Sequence, residues 1–576
     1  MTATEFLVSY FERLKGKPPY PWQRKLFEQI VAGESPQLID MPTGAGKTAV
    51  LWIWWLALAW SKQQGTNGVP IRLAWVVNRR VVVDQVSSEV NELCKEWSML
   101  RFQALPDPPA ASTLRGQLAD NGAWRNDPTV PAVIVGTVDM IGSRLLFRGY
   151  GSGPYWRPVE AGLLGVDTLI VNDEAHLTHA FAELLRTLHT FRPAEKISGK
   201  SFRYMLLSAT QGSNKGAARF QHDPEEDAAH SERFRQVWTA DKSLELREVA
   251  NGPAVKAEIW RLATQEPAPR TIVFIDKPEE ALEFYKRLTK DGFDAALMTG
   301  TMRGKERDEL AEKNMTFQRF QTPDPGQMPV FVVATSAAEV GVNLTCEPMV
   351  TGLCEADHLI QRFGRLNRFG VDGSGRPVDG KTFVVYVEPK KDSQARLKAT
   401  IEYLRSLNGD ISPRSLWNYR PPENALSEKP NIARLEKWRI ESWAQTTYRD
   451  RYLTPVEPWV RGKEDETPQT EVAWRADLQY LLEWGVSRAQ IEKVLDAFPV
   501  LTREKLQEPS DRVFEKLKRI EQNLDGQSDR IVIVDGDQTV RVVSISNLTK
   551  KTSSIALFYF PSTWAGLRSM ACSSQR

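Results

Sequence analysis

Cysteine is scarce in this sequence, which has four in 576 residues, and the four show no pairing pattern. Cys94, Cys346, Cys354 and Cys572 form no CxxC pair, so their spacing indicates neither a disulfide framework nor a zinc site. This usage is typical of a reducing environment, and we expect a cytoplasmic protein.

An excess of charge of one sign is also missing, since 75 basic and 73 acidic residues leave a formal net charge of +2. The charge of the whole molecule therefore predicts no polyanionic partner, and any basic track must be local. The N-terminus shows no basic-then-apolar signal pattern. One apolar run, Ala49–Trp60, is shorter than the roughly 20 residues of a membrane-spanning helix, and we interpret it as a buried helix.

Short apolar runs alternate with longer helical stretches between Leu38 and Glu388. Continuous apolar strands separated by helices indicate parallel sheets that are covered on both faces. Two such sets in series predict two α/β lobes, and the chain is too long for a single core. The first set of predicted strands is Gln37–Asp40, Leu73–Val77, Ala132–Val135, Thr168–Val171 and Tyr204–Leu207, and the second is Thr271–Ile275, Ala295–Met298, Val330–Val333, Met349–Leu353 and Thr382–Val387.

The predicted organisation has four parts, with the lobe boundary near Asp241–Val255. A polar stretch with proline and asparagine is predicted to connect the second lobe to a C-terminal region. That region is predicted to be smaller and mainly helical, with a β-hairpin at Ile531–Val543 around an Asp-Gly turn. Asn214–Ser231 is predicted as a loop or an insertion, and the tail after Lys550 matches no element. The bounds are 1–244 for the first lobe, 245–390 for the second, 391–430 for the linker and 431–576 for the accessory region.

The strongest motif is Met41–Thr48, MPTGAGKT, which follows a short apolar strand and precedes a helix. Gly44 and Gly46 allow a tight turn whose N–H groups bind phosphate oxygens, and the helix presents its positive N-terminus to the same charge. Lys47 is predicted to contact the β- and γ-phosphates of ATP, and Thr48 to bind Mg²⁺. The other loop residues assigned to nucleotide binding are Thr43 and Ala45.

A second motif, DEAH at Asp173–His176, ends a predicted strand and follows the phosphate loop by 125 residues, counted from Thr48. Asp173 is predicted to hold Mg²⁺, and Glu174 to polarise the water that attacks the γ-phosphate. His176 is predicted to couple the nucleotide state to the rest of the lobe. Asn172 stands where an apolar strand residue is expected.

The second lobe supplies a basic motif, QRFGRLNR, at Gln361–Arg368. Arg365 and Arg368 lie three residues apart and would share a helix face. We predict that they act across the cleft between the lobes as arginine fingers on the γ-phosphate. Arg362 is the reserve candidate, and Gln361 is assigned to coupling.

Together these elements resemble superfamily-two helicases, which implies two tandem RecA-like lobes with ATP in the cleft between them. The resemblance implies that Gln23 reads adenine. It also implies that Ser208, Ala209 and Thr210 link hydrolysis to movement of the lobes. In the segment Glu339–Leu344, Gly341 and Asn343 are implied to share in nucleotide binding, although many relatives have Asp where this chain has Asn343.

The same resemblance implies contacts with the backbone of a nucleic-acid strand, which are sequence-blind and salt-dependent. The motifs concerned are Asn78-Arg79-Arg80, GTVD at Gly136–Asp139, and Ala334-Thr335. The residues predicted to contact the strand are Arg79, Arg80, Thr137 and Thr335, with Arg303 and Arg307 as further candidates.

Several longer segments resemble the CRISPR-associated signature helicase–nuclease of type I systems. They are STLRGQLADNGAWRNDP (112–128), VGTVDMIGSRLLFRGYG (135–151), AEVGVNL (338–344) and LIQRFGRLNR (359–368). The first two, with AWRADL (473–478), are most similar to the type I-G branch, formerly called I-U. The resemblance implies a 3′-to-5′ translocase on single-stranded DNA, which a Cascade-type surveillance complex with guide RNA recruits to the displaced strand of an R-loop.

That family also carries an HD nuclease, which needs several His and Asp ligands around one or two metal ions. This chain has six histidines, none of them beyond His358. Its one His-Asp pair, His222-Asp223, lies in a polar stretch. We therefore expect no HD nuclease in this chain, so that the nuclease is a separate polypeptide or the chain is truncated before it.

Two alternatives stay open. One is a DNA-repair or RNA helicase of the same superfamily, which strand preference in ATPase stimulation would distinguish. The other is an ATP-gated clamp that binds a partner and never unwinds, which a strand-displacement assay would distinguish. The tryptophans of the C-terminal region are interpreted as core or domain-interface residues rather than base-stacking platforms; they are Trp438, Trp443, Trp459, Trp474 and Trp484.

Overall fold

Two six-stranded parallel sheets, each with helices on both faces, form the body of the molecule in a computed structural model of the chain. Both are RecA-like lobes, as the sequence predicts. The structure describes residues 1–42, 44–78, 80–100, 108–114, 122–150, 152–191, 202–208, 218–326, 328–390, 394–446, 455–463, 469–498, 500, 504–522, 530–535, 539–548 and 556–561.

The first sheet has the strand order β1-β6-β5-β2-β4-β3. Its strands are β1 (Leu38–Asp40), β2 (Arg72–Val77), β3 (Ala110–Leu114), β4 (Ala132–Thr137), β5 (Thr168–Asn172) and β6 (Arg203–Ser208). The helices before, between and after them are α1 (Ala3–Lys15), α2 (Pro21–Val31), α3 (Val50–Gln63), α4 (Arg80–Leu100), α5 (Ala123–Asn126), α6 (Val138–Leu145), α7 (Trp156–Gly165), α8 (His179–Thr190), α9 (Pro224–His230) and α10 (Glu232–Trp238).

The second sheet has the order β7-β12-β11-β8-β10-β9. Its strands are β7 (Lys242–Glu248), β8 (Arg270–Phe274), β9 (Asp294–Met298), β10 (Val330–Ala334), β11 (Pro348–Gly352) and β12 (Gly380–Tyr386). The helices that accompany them are α11 (Gly252–Thr264), α12 (Pro278–Lys290), α13 (Gly304–Lys313), α14 (Met315–Gln318), α15 (Ala356–Phe363), α16 (Ala395–Ser406) and α17 (Pro413–Asn418).

All ten predicted strands are present, with bounds within two residues of those expected. The two strands of the parallel sheets that the prediction missed, Ala110–Leu114 and Lys242–Glu248, are edge strands of their sheets. An edge strand is partly exposed and needs no continuous apolar run, so it gives little signal in the sequence. The helix Val50–Gln63 is buried almost all round, as its apolar run predicts. No helix in the described part of the chain is long and apolar enough to span a bilayer.

Two predicted irregular segments contain helices instead. The stretch predicted as a loop at Asn214–Ser231 includes α9, which begins with a proline after Asp223, whose side chain accepts a hydrogen bond from Glu225 N. The stretch predicted as a linker, 391–430, includes α16 and α17. Apolar residues at helical spacing bury α16 in the core of the second lobe, an amphipathic pattern that proline and asparagine nearby obscured; they are Ala399, Tyr403, Leu404 and Leu407.

The C-terminal region contains a five-stranded mixed sheet in the order β14-β13-β17-β15-β16. Its predicted hairpin is present, since Arg530–Asp535 (β15) pairs antiparallel with Val540–Ser544 (β16). The tail that matched no element supplies the central strand Ala556–Pro561 (β17). The other elements are α18 (Lys437–Trp443), α19 (Glu457–Val460), β13 (Gln469–Arg475), α20 (Ala476–Glu483), α21 (Arg488–Ala497), β14 (Leu506–Pro509) and α22 (Ser510–Glu521).

Helix α10 packs against both lobes just before the chain enters the second sheet. A Cβ at Gly44 of the phosphate loop would lie 2.9 Å from Val237 Cγ1, and a Cβ at Gly370 would clash with the carbonyl oxygen of Gln236. Gly370 also has a φ of +75°. Glycine is therefore required at position 370 by a backbone that approaches it as well as by its own conformation.

Hydrogen bonds tie the residues after α10 to the basic motif of the second lobe. Asn367 Nδ2 donates to the carbonyl oxygen of Asp241 at 3.0 Å, and Lys242 Nζ donates to that of Phe363 at 3.2 Å. Asn367 has a φ of +36°, which asparagine tolerates better than most residues. The connector at 236–242 therefore holds the motif in place while it touches the phosphate loop.

We expect Gly370→Ala to destabilise the protein more than Gly375→Ala. Both glycines have φ near +80° (+75° and +83°), but nothing lies within 4 Å of a Cβ at Gly375. The left-handed conformation alone should cost about 1–2 kcal/mol in each variant, and the clash with Gln236 adds to this only at position 370. Urea unfolding midpoints measure the difference, and equal losses in the two variants would contradict the packing described.

Candidate active site between the lobes

The phosphate loop begins where β1 and β6 lie side by side. Met41 N donates a hydrogen bond to Ser208 O at 2.8 Å, which joins the loop to the end of β6. Gly44 and Gly46 have φ of +86° and +77°, so the turn takes the left-handed conformations that the two glycines predict. Residues Lys47–Ala49 form a 3₁₀ turn that leads into α3. Thr43 lies outside the described residues.

The DEAH motif meets the phosphate loop directly. Lys47 Nζ donates to Glu174 Oε1 at 2.9 Å. The turn is fixed by two hydrogen bonds, from Asp173 N to the backbone oxygen of Val76 at 2.8 Å and from Glu174 N to the side-chain Oδ1 of Asp173 at 3.0 Å. Two motifs that are far apart in the sequence thus form one cluster at the carboxyl ends of the strands, where open α/β sheets bind their ligands.

The two carboxylates of this cluster have different proton affinities. Burial and the adjacent charge of Glu174 raise the pKa of Asp173 to about 6, although Lys47 opposes the shift. Burial alone would raise the pKa of Glu174, but the ion pair with Lys47 outweighs it and the pKa is lowered. Glu174 is therefore held as a carboxylate, the form that accepts a proton from water.

Asn172, which was unexpected in the sequence, clamps the DEAH turn. Its Nδ2 donates to Thr178 Oγ1 at 2.8 Å, and the Thr178 hydroxyl donates back to Asn172 Oδ1 at 3.3 Å. Asn172 is fully buried. The pair closes the turn across its two ends, so an apolar residue at 172 would leave the buried Thr178 hydroxyl without this partner.

His176 connects the two lobes. Its Nδ1 lies 3.4 Å from Ser208 Oγ, and its Nε2 lies 2.9 Å from Gln361 Nε2 of the second lobe. Burial lowers the pKa of His176 to about 4, so the ring is neutral and Nε2 can accept from the Gln361 amide. Three residues predicted to couple the lobes are thus in contact; the other two, Ala209 and Thr210, lie outside the described residues.

The candidate arginine fingers differ in their environments. Arg365 is buried and donates to the carbonyl oxygens of Ala338 and Glu339, at 3.2 and 2.6 Å. Burial, with the charge of Arg368, lowers the pKa of Arg365 to about 9. Arg368 Nη1 is buried and has no hydrogen-bond partner among the described residues, and both Arg365 and Arg368 interact electrostatically with Glu174. Arg368 therefore keeps donor capacity, whereas Arg365 donates to the backbone of its own lobe.

Arg362, the reserve candidate, is a core residue of the second lobe. Its guanidinium binds Glu339 at 2.8 Å, Thr351 at 2.5 Å and Asp276 at 2.7 Å, and it lies 4.9 Å from the Phe274 ring centroid. With its donors engaged within its own lobe, it is not available to the cleft. Arg365 and Arg368 stay the predicted arginine fingers.

The segment with Gln23 is attached to the phosphate loop. Gln23 Oε1 accepts from Tyr20 N at 2.9 Å, which caps α2, and Gln23 Nε2 would be 3.3 Å from a Cβ at Gly46. Trp22 Nε1 donates to Ala45 O at 3.2 Å. In the second lobe Gly341 has a φ of +84° and Asn343 is exposed.

The residues predicted to contact a nucleic-acid strand lie in different surroundings. Thr137 is buried at the end of β4, and Thr335 Oγ1 accepts from the backbone of residues 300 and 337. Arg303 pairs with Glu306 and lies 5.4 Å from the Trp474 ring centroid, so the C-terminal sheet covers it. Arg307 Nη2 donates to Met302 O at 3.5 Å. Arg79 and the side chain of Arg80 lie outside the described residues.

The interpretation of the tryptophans holds for some and is wrong for others. Trp443 and Trp459 are buried and pack edge to face, with ring centroids 5.3 Å apart. Trp474 packs under Arg303. Trp438 and Trp484 are 59% and 76% exposed, so they are not core residues. These two side chains lie on helix faces that point away from the rest of the protein. Helical spacing alone does not show which face of a helix is buried.

The described residues contain no cluster of three His, Cys, Asp or Glu side chains that could hold a metal ion. His222 Nδ1 pairs with Asp227 Oδ2 at 3.2 Å, and Asp227 Oδ1 accepts from Trp22 N at 2.9 Å. These contacts join α9 to α2 and give His222 a structural role.

Comparison with known proteins identifies two segments of the chain. Residues 20–217 match the family described as DEAD/DEAH box helicase. Residues 269–370 match the family described as CRISPR-associated nuclease/helicase Cas3, C-terminal. No curated protein matches the sequence significantly.

Solved structures of T. fusca Cas3 have a similar fold. The complex with AMPPNP has a TM-score of 0.53 at 15% identity and covers 81% of this chain and 60% of that one. The structure described simply as T. fusca Cas3 has a TM-score of 0.51 at 16% identity and covers 82% and 60%. This chain thus spans about 60% of the length of the Cas3 chains it matches. It combines a DEAD/DEAH box helicase segment and a Cas3-like C-terminal helicase segment on a fold similar to that of Cas3.

Proposed function

We propose that this chain is an ATP-dependent translocase or helicase that acts on single-stranded DNA in type I CRISPR interference. The observation that carries the proposal is the contact of Lys47 with Glu174, a carboxylate that also interacts electrostatically with Arg365 and Arg368 of the second lobe. These are the groups that phosphoryl transfer requires in a cleft between two lobes. Complexes of T. fusca Cas3 with AMPPNP and ADP support the choice of nucleotide.

The residues of the cleft fit ATP with Mg²⁺. A magnesium site of this kind uses one or two carboxylates, a hydroxyl and phosphate oxygens, and Asp173 with Thr48 would supply the protein ligands. Bound Mg²⁺ would neutralise charge on the phosphates. Lys47 would exchange its contact with Glu174 for the β- and γ-phosphates, which leaves the Glu174 carboxylate to polarise the attacking water.

The lobe contacts support a role for hydrolysis in movement. His176 and Gln361 join the DEAH turn to the second lobe, and Asn367 joins the finger motif to the connector. A change at the γ-phosphate would therefore alter contacts between the lobes. Repeated closing and opening would move a strand that both lobes hold.

The substrate and the partner rest on the resemblance. The Cas3-like segment at residues 269–370 supports a displaced DNA strand as the substrate and a Cascade-type surveillance complex as the partner. The 3′-to-5′ direction, the type I-G branch and the supply of an HD nuclease from elsewhere are parts of the same proposal.

ATP hydrolysis should rise strongly with single-stranded DNA and little with single-stranded RNA. The measurement compares the purified chain in Mg²⁺ without polymer, with each polymer, and with a surveillance complex. Stimulation by RNA instead would favour an RNA helicase. Stimulation by the complex alone, without strand displacement, would favour an ATP-gated clamp, and both results would contradict the proposal.

Lys47→Ala should abolish ATP turnover, because it removes the side chain proposed to hold the β- and γ-phosphates. Lys62→Ala, which removes an exposed lysine at the end of α3, the helix after the phosphate loop, is the matched control and should keep full turnover. Normal hydrolysis by Lys47→Ala would overturn the assignment of the phosphate loop.

Arg368→Ala should lower kcat by about 10³-fold or more while ATP binding changes little, because a finger acts mainly on the charge of the transition state. Arg376→Ala, at an exposed arginine of the same lobe, is the control. Turnover and fluorescent-nucleotide binding are measured together. An equal loss of both in Arg368→Ala would argue against the finger role.

A further inference from the structure

The chain returns to the first lobe after it leaves the second. In the segment 455–463, Val456, Trp459 and Val460 are buried in the core of the first lobe. Val460 Cγ2 would be 2.8 Å from a Cβ at Gly142 of α6, so the Val460 side chain packs directly against the backbone of that helix. This segment belongs structurally to the first lobe although it follows the second in sequence.

Arg461 lies near the end of residues 455–463, here called the return segment, and donates three hydrogen bonds. Arg461 Nε and Nη2 donate to the two carboxylate oxygens of Asp139 at 2.8 and 2.5 Å. Arg461 Nη1 donates to Asn78 Oδ1 at 3.1 Å. The side chains of Arg461 and Asp139 are 37% and 33% exposed. The guanidinium is therefore oriented in two directions and still accessible from solvent.

Arg461 lies at the carboxyl edge of the first sheet. Asn78 directly follows β2. Thr137 is the last residue of β4, which pairs parallel with β2 so that Val77 lies opposite Thr137. Helix α6 begins at the next residue, and the Thr137 side chain makes no capping hydrogen bond. The N-terminus of this helix attracts anions, and Arg461 adds a fixed cation beside its first turn.

Acidic groups at the same place make the charge of Arg461 important. Asp139 lies in the first turn of α6, and Glu457 accepts a hydrogen bond from the Tyr150 hydroxyl nearby. Without Arg461 these carboxylates would repel a phosphate. An exposed ion pair contributes little to stability, and apolar burial already holds the segment, so docking does not require Arg461.

We propose that Arg461 is a phosphate-contacting residue of the nucleic-acid track, supplied to the first lobe by the return segment. The inference rests on the proposed function, because it deepens the description of the strand site. Asp139 and Asn78 orient the guanidinium, and the phosphate binds between it and the N-terminus of α6. The nucleic-acid track then includes a residue that follows both lobes in the sequence.

The test compares Arg461→Gln with Asp139→Asn, because both break the same ion pair. Binding of a fluorescent oligo-dT to the full chain is followed by anisotropy at several salt concentrations. Arg461→Gln should weaken binding several-fold and reduce the slope of log affinity against log salt by about 0.7, the share of one phosphate in a single strand. Asp139→Asn should tighten binding, since it removes a negative charge from the track.

A purely structural ion pair would give the same change in both variants, and that result overturns the proposal. Binding by Arg461→Gln that equals wild type also overturns it. Arg461→Lys should restore the salt slope, because it keeps the charge. Unfolding midpoints of all variants within about 2 °C of wild type would show that the return segment stays docked.

The same experiment separates this inference from the proposed function. If wild type binds oligo-dT and shows DNA-stimulated hydrolysis but Arg461→Gln is unaffected, only the role of Arg461 fails. If wild type binds no strand at any salt concentration, the translocase proposal and the role of Arg461 fail together.

Discussion

The ion pair of Lys47 with Glu174 is the contact on which the cleft depends. It joins the loop after β1 to the turn after β5, and it keeps a lysine and a glutamate compatible with burial. Removing either partner would leave a buried charge without compensation. Neighbouring residues support this pair: Asn172 binds Thr178 across the DEAH turn, and His176 contacts Gln361 of the second lobe. Arg365 and Arg368 of that lobe interact electrostatically with Glu174.

Much of this arrangement could be predicted from the sequence because local residue patterns specify it. Buried parallel strands need continuous apolar runs, and a phosphate loop needs its glycines and lysine at fixed spacing. The edge strands β3 and β7 and the helix α16 could not be predicted, because their apolar faces are short. Such a face can be recognised only once the neighbouring element that it packs against is known. The sequence also could not show that Arg362 is the weakest of the three arginine-finger candidates. Arg362 and Arg368 are the same residue type in one motif, and they differ in the tertiary contacts around them.

Some residues in the segments that carry the Cas3 resemblance are structural rather than functional. Glu160 is fully buried and pairs with Arg125, in one of those segments, at 2.5 Å and with Arg144, in another, at 3.1 Å. A buried carboxylate with two guanidinium partners requires all three groups together. Arg125 and Arg144 of these segments therefore help to hold the first lobe together, whereas the residues predicted to act on the nucleotide lie in the shorter motifs.

The return of the chain to the first lobe gives the two lobes a second covalent crossing. The first crossing lies at Asp241, and the second lies between Ser427, whose hydroxyl donates to Asp357 of the second lobe, and Ala433, which is buried in the first. Because the chain spans from one lobe to the other at both places, its reach at each crossing limits how far the lobes can separate. A single linker would limit that separation at one place only.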